Sequence, residues 1–256
     1  MNNIMKNRKF MQCPAFGGIM EASDQKKGVA QPTYERVTTG NFVKLEAFDE
    51  LVKDASYLHL LATRRSVRVY EDVAMTSAQL AFLLWSASGI HEYRGNGVAT
   101  FRPVPSGGAR HPFDLYMIVK DVENLKPGIY RYSPTQNVGT LQVSVEYLAP
   151  LFADYETKLS SMLAGQKWAN TAQVVIFASC VPYRAEWRYH EAAHRVMLID
   201  LGHIGQNLML SATALGLGSC CIAAFDQKIC DEVFNFDGDN EFTAYALPIG
   251  NPKTRR

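Results

Sequence analysis

Four stretches of the chain hold side chains whose types and spacing suit chemistry. Arg64, Arg65 and Arg68 stand close together with Ser66 among them. Guanidinium forks match phosphate oxygens, so this group is a candidate phosphate site. A solvated basic helix end is the alternative, because charge runs usually only face water. The loop from Glu92 to Pro112 carries Gly95, Asn96 and Gly97, and then Ser106, Gly107 and Gly108 flanked by Arg110 and His111. Small residues let a backbone approach a ligand, and long loops in compact domains are often binding loops. His190-Glu191-Ala192-Ala193-His194 has the HExxH spacing. On one helix face that spacing gives two zinc-binding imidazoles with the glutamate as general base. A third ligand is then required. Asp200 has the right separation, but Met197 occupies the position of the glycine turn that would swing it back. On a continuing helix Asp200 lies about 120° around the axis from His194, and His203 lies on the opposite side. A zinc hydrolase is therefore a remote alternative. Gly216-Leu217-Gly218 follows a helical stretch and lacks a third glycine, which argues against a dinucleotide-binding turn.

These residues need elements to place them. From Trp187 to Gly218 the chain is apolar or small for several turns. A helix from roughly Tyr189 to Leu215 would be about 40 Å long. Val196, Ile199, Leu201, Ile204, Leu208, Met209 and Leu210 do not fall on one stripe, which predicts a helix buried on most sides and shared with a second subunit. Thr76 and Gln79 form a capping box for a core helix ending at Gly89. Strands are expected over Leu115–Lys120 and Gly128–Tyr132 as a hairpin, over Gln173–Ala178, near Ser219–Ala223 and over Phe242–Ile249. Helices are expected between Glu146 and Ala164 and from Asp226, as cap, to about Asn235. This mixture, without regular βαβ alternation, predicts an α+β fold. Residues 1–55 read as an N-terminal arm and residues 56–256 as one domain.

Composition narrows the partners. The chain has a net charge of +1, which points to no nucleic-acid partner. Asp200, His203, Gln206 and Asn207 interrupt the longest apolar run, so no membrane span is expected. The N-terminus has no signal-peptide core, which predicts a cytoplasmic protein. The five cysteines contain no CxxC pair and read as reduced thiols.

Taken together, RRSVR (Arg64–Arg68), PSGGARHP (Pro105–Pro112), EWRYHEAAHR (Glu186–Arg195) with DLGHIGQNL (Asp200–Leu208), and GLGSCCIAAFD (Gly216–Asp226) resemble the nitroreductase-like flavoproteins. Within them the likeness is to the branch of SagB-type thiazole/oxazole-forming peptide dehydrogenases. The resemblance runs from about Leu60 to Asn251. It implies an α+β fold with a mixed sheet and a long central helix, an intertwined homodimer, and FMN at each subunit interface. It further implies that Arg64, Arg65, Ser66 and Arg68 hold the phosphate and ribityl chain. Pro105, Ser106 and Gly107 would approach from the partner, with Arg110 beside them. Cys221, Ile222, Ala223 and Ala224 would line the ring, with the Ala224 N–H near N5. Lys253, Arg255 or Arg256 would add a phosphate contact. The peptide dehydrogenases carry a Lys-Tyr pair where this chain has Arg188 and Tyr189. A guanidinium stays protonated and is a poor base, which speaks against azoline oxidation. Arg188 instead suits orientation of an anionic or carbonyl-bearing substrate, with Tyr189 as proton donor. Arg188 paired with Glu186 or Glu191 is the competing role. The reaction implied is hydride transfer from NAD(P)H through FMN to an electron-poor acceptor such as a nitro compound or quinone. Alternatives are an FMN-dependent dehydrogenase acting on a peptide azoline or other small substrate, and a flavin-binding protein without turnover.

Overall fold

The computed structural model describes residues 3–12, 16–52, 56–95 and 97–253. In chain order these form α1 (Asn3–Met11), α2 (Phe16–Glu21), β1 (Phe42–Lys44), α3 (Tyr57–Thr63) and α4 (Ser77–Ser88). A small hairpin follows, β2 (Glu92–Arg94) and β3 (Ala99–Phe101), and then β4 (Phe113–Val119), β5 (Gly128–Tyr132), β6 (Ser144–Pro150) and α5 (Tyr155–Met162). The remainder is β7 (Val174–Cys180), α6 (Tyr183–Tyr189), α7 (Ala193–Ala214), β8 (Gly218–Ser219), α8 (Gln227–Phe234) and β9 (Phe242–Gly250). Asn96, Arg255, Arg256 and Cys13 lie outside the described residues.

The main sheet has the order β1-β6-β5-β4-β7-β9-β8. Its ladders are antiparallel, and the only parallel pairing among the described residues near this sheet edge is the single bridge between Ser66 and Ser219. Side-chain alternation along the central strands builds two cores. Leu115, Met117, Val174, Ile176 and Ala178 face one way, with Leu80, Leu84, Leu201, Ile204 and Leu208 from α4 and α7. Tyr116, Ile118, Val175 and Phe177 face the other way, with Leu159, Met162 and Phe234 from α5 and α8. Strands covered on both faces read as nearly continuous apolar runs, as β4 and β7 do.

Local signals hold where they are strong. Thr76 and Gln79 make the reciprocal capping box. Asp226 caps α8 by accepting from the Ile229 N–H, and Asn235 closes it in left-handed geometry. Gly89 ends α4 with negative φ; a Cβ there would stand 2.6 Å from the Trp85 ring, so close approach explains it. The helix expected between Glu146 and Ala164 is present as Tyr155–Met162, and β6 runs to Pro150 ahead of it. Val143, Val145 and Tyr147 alternate toward the core between β5 and β1, and that pairing outweighs helical spacing.

The long apolar stretch also differs from expectation. It is two helices, because His190 adopts φ 46° and ψ −130° and separates α6 from α7. Within the chain α7 buries one face, while Leu198 and Ile199 remain 58% and 46% exposed. No described helix is long and apolar enough to cross a membrane. The segment expected as an arm lies on the body over its described part, and β1 within it joins the edge of the sheet against β6.

Candidate functional site

Three segments distant in sequence meet at one edge of the sheet. The Val67 N–H donates to the Ser219 carbonyl at 2.9 Å, and Ser66 bridges Ser219. A Cβ at Gly218 would meet the Val67 side chain at 2.7 Å, so only glycine allows this approach. The C-terminal segment closes the other side: the Glu71 N–H donates to Asn251, and the Lys253 N–H donates to Val69 at 3.0 Å. Tyr70 is locked beneath, its hydroxyl donating to the carbonyls of Val67 and Pro248.

A cavity of about 810 Å³ opens between these segments, lined by Arg65, Ser66, Val67, Arg68, Val69, Pro252 and Lys253. That volume falls within the roughly 300–1,000 Å³ of small-molecule sites. Among the described residues the lining holds two guanidiniums, an ammonium and a hydroxyl and no carboxylate, which is the donor set a phosphate needs. Part of the Arg65 guanidinium is spent on the carbonyls of Ala62 and Arg64. Arg64 points elsewhere, toward the Met209 sulfur at 4.0 Å.

Downstream, Ile222 exchanges both backbone hydrogen bonds with Ala246. Gln166 donates to the Ala224 carbonyl at 2.9 Å, and the Asp226 N–H donates to Met162. Ala223 and Ala224 are thus exposed residues suspended between fixed points, and among the described residues no acceptor takes their N–H groups. Cys221 is half-buried, and burial pushes its thiol up. Cys180, Cys220, Cys221 and Cys230 are free thiols.

A second group forms around the glycine loop. The Ser106 hydroxyl donates to Asp200 at 2.6 Å, and the Gly107 N–H donates to the same carboxylate at 3.1 Å. Ser106 in turn accepts from the His111 N–H. Pro105 and Ser106 border a void of about 10 Å³ with Asp200 and Ile204. A Cβ at Gly107 would collide with Val196, and one at Gly108 would stand 2.6 Å from Arg188 and 2.7 Å from the Tyr189 hydroxyl. The loop therefore packs directly on Arg188 and Tyr189. Arg188 stacks over the Tyr189 ring at 5.6 Å and donates to Gln25 at 3.1 Å. Ala109, His111 and His190, all non-glycine residues with positive φ, cluster here. Strained backbone persists only where surrounding contacts hold it, and it concentrates at functional sites.

None of Pro105, Ser106, Gly107, Arg188 or Tyr189 lines the cationic cavity within the chain. Arg110 does not reach it either. It is 1% exposed, donates to the carbonyls of Arg184 and Val98, and lies 4.9 Å from the Trp187 ring. A basic residue in a glycine-rich loop reads as an anion ligand; here buried carbonyls and rings absorb it. Arg256 lies outside the described residues.

The HExxH residues do not share a helix, because His190 sits at the break and His194 pairs with Glu186 at 2.9 Å. Among the described residues, no three His, Cys, Asp or Glu side chains converge as metal ligands. Burial, with nearby Arg102, lowers the His111 imidazole to about 3, so it is neutral near pH 7.

The sequence singled out Asp200 as a break in an apolar run and as a possible third zinc ligand, and its role as loop anchor was missed. Burial raises its carboxyl above the ordinary range, against the Ser106 and Gly107 donors that lower it. A raised folded value means that its contribution to stability is complete below about pH 4 and is lost as pH rises through that value. Asp200→Asn should therefore remove this loss of stability as pH rises above about 4. Melting curves at stepped pH test this; an unchanged slope in the variant contradicts it.

The model of the nitroreductase family matches residues 61–251, which include the glycine loop with Arg188 and Tyr189 and all of the cavity lining except Pro252 and Lys253. A protein of Methanocaldococcus jannaschii whose name assigns it provisionally to the nitroreductases, MJ1384, is 29% identical over 191 residues, 75% of this chain and 88% of that one. The trifolitoxin-processing protein TfxB of Rhizobium leguminosarum bv. trifolii is 30% identical over 139 residues, 53% of this chain but 36% of its own length. Among solved structures, the E. coli microcin synthetase McbBCD complex with truncated pro-MccB17 contains a chain of similar fold. Its TM-score is 0.60 at 17% identity, over 98% of this chain and 93% of that one. The family match, spanning the strained loop and the Arg65–Val69 side of the cationic cavity, identifies the chain as a member of the nitroreductase family and an oxidoreductase.

Proposed function

We propose that the protein is an FMN-dependent oxidoreductase that takes hydride from NAD(P)H and passes it to an electron-poor acceptor such as a nitro compound or quinone. The observation that carries this reading is the cavity with a wholly cationic and hydroxylic polar lining: Arg65, Ser66, Arg68 and Lys253. When bound, FMN supplies the hydride chemistry, and the protein positions it and controls access. Arg65, Arg68, Lys253 and Ser66 hold the phosphate. The unclaimed N–H groups of Ala223 and Ala224 donate to the ring edge. Arg188 orients the acceptor, and Tyr189 delivers a proton to it.

Leu58 and Leu61 on α3 and Leu198 and Ile199 on α7 form a set of exposed apolar side chains. We assign it to a homodimer, which would bring the Ser106–Gly107 loop of one protomer to the cavity of its partner. Exposed apolar patches mark association surfaces.

The deciding experiment is an absorbance spectrum of the purified protein followed by anaerobic titration with NADH and with NADPH. Flavin bands near roughly 370 and 450 nm that bleach with one equivalent of donor support the reading. Protein that is colourless and cannot be reconstituted with FMN overturns it. Gly108→Ala should keep the flavin but displace Arg188 and Tyr189. Acceptor turnover should then fall on the order of ten- to a hundred-fold, because misplacement of about 1 Å costs that much. Steady-state kinetics beside the flavin spectrum separate the two effects, and unchanged turnover removes Arg188 and Tyr189 from the reaction.

The likeness to TfxB, a trifolitoxin-processing protein, favours a second reading in which the substrate is a peptide, and the resemblance to SagB-type dehydrogenases makes that substrate an azoline. Arg188 counts against it, since it cannot serve as the base. Oxidation of an azoline peptide faster than reduction of a generic acceptor would reverse this preference.

A further inference from the structure

The short turn after α5 touches both halves of the proposed flavin site. The chain leaves α5 through Ala164 and Gly165, both with positive φ, and enters a 3₁₀ turn at Lys167–Thr171. From this turn the Trp168 ring lies under the Arg68 guanidinium, 5.9 Å from its centroid. From the residue just before it, Gln166 donates to the Ala224 carbonyl at 2.9 Å.

We propose that Gln166 and Trp168 are positioning residues that set the phosphate end and the ring end of the flavin site relative to each other. This rests on the FMN reading above. The chemistry of each contact suits the role. Among the described residues Arg68 has no carboxylate partner. A carboxylate would hold the guanidinium equally well, but it would occupy the N–H fork and repel a phosphate. A ring face holds the cation and leaves its in-plane donors free. On the other side, the Gln166 bond fixes the carbonyl of Ala224 and hence the backbone torsion of the residue whose N–H is assigned to the ring. Ile222, tied to Ala246, fixes the chain before it. Both contacts arise from residues two apart in one short segment, so they tie the two ends to a common backbone.

The test measures affinities of the full-length protein for FMN and for riboflavin, which lacks the phosphate. Trp168→Leu keeps apolar bulk without the π-face. It should lower the FMN-to-riboflavin affinity ratio about two- to five-fold, and Trp168→Phe should restore most of it. Gln166→Ala should weaken FMN and riboflavin by the same factor and shift the absorption band of the bound flavin. A Trp168→Leu variant that weakens both flavins equally, or leaves the ratio unchanged, overturns the assignment of Trp168. A Gln166→Ala variant that changes neither affinity, or only that for FMN, overturns the assignment of Gln166 and keeps the test decisive if Trp168→Leu does not fold. Wild-type protein that binds no flavin instead defeats the cofactor reading. Wild-type protein that prefers FMN, with variants behaving alike, defeats only the positioning role.

Discussion

Under the proposed reading, Ser66→Ala combined with Arg68→Ala should strip FMN from the protein. Both side chains line the cationic cavity, and among the described residues neither is engaged by a carboxylate, so both are available as phosphate donors. A hydrogen bond to a charged group contributes about 1.5–3 kcal/mol, so two of them correspond to about 3–6 kcal/mol. FMN affinity should fall roughly 10²- to 10⁴-fold, while riboflavin affinity should change little. Flavin fluorescence titration measures both. Full retention of FMN would place the phosphate elsewhere. The fold should persist, because both residues sit on an exposed segment that Val67 and Tyr70 anchor through the backbone.

A second large effect concerns the platform beneath Arg188 and Tyr189. Arg184 at the start of α6 holds Asp114 of β4 through two hydrogen bonds of 2.7 and 2.8 Å, with both side chains nearly inaccessible. Asp114→Ala leaves the guanidinium buried without its counter-charge. Such a change costs about 3–5 kcal/mol. At roughly 2–4 °C per kcal/mol for a chain of this size, the melting temperature should drop by about 10 °C. Replacing both partners by apolar residues of similar volume, Asp114→Leu with Arg184→Met, should recover most of the loss, because the cost lies in the unpaired charge. Differential scanning calorimetry of the single and double variants tests this. A double variant no more stable than Asp114→Ala would mean that the pair contributes by its geometry instead. Acceptor turnover should fall in Asp114→Ala as well, since α6 carries Arg188 and Tyr189.

The segments read most securely from the sequence are those whose signal is local. Alternating or continuous apolar runs gave β4, β5, β7 and β9, and cap chemistry gave α4 and α8. The motifs around Arg65–Arg68 and Gly216–Ala224 were legible because they combine unusual residue types at short range. The strand character of Glu146–Pro150 was not legible, because it depends on neighbours in β1 and β5. Trp168 and Gln166 carried no signal at all, since their partners lie far away in the chain.

The stretch from Trp187 to Gly218 divides the two kinds of information. Its composition alone determined that it is helical, that it ends near Gly216, and that its apolar surface exceeds one stripe. Only the tertiary structure decided that it breaks at His190. Neither proline nor glycine marks that position, and φ 46° is unfavourable for histidine on its own. The break persists because both flanking helices are fixed by distant contacts. Arg184 and Trp187 tie α6 to β4 and to the N-terminal segment, and Asp200 ties α7 to the Ser106–Gly107 loop. Sequence periodicity reports the preferences of neighbouring residues; the position of a break forced by long-range contacts exists only once the chain has folded.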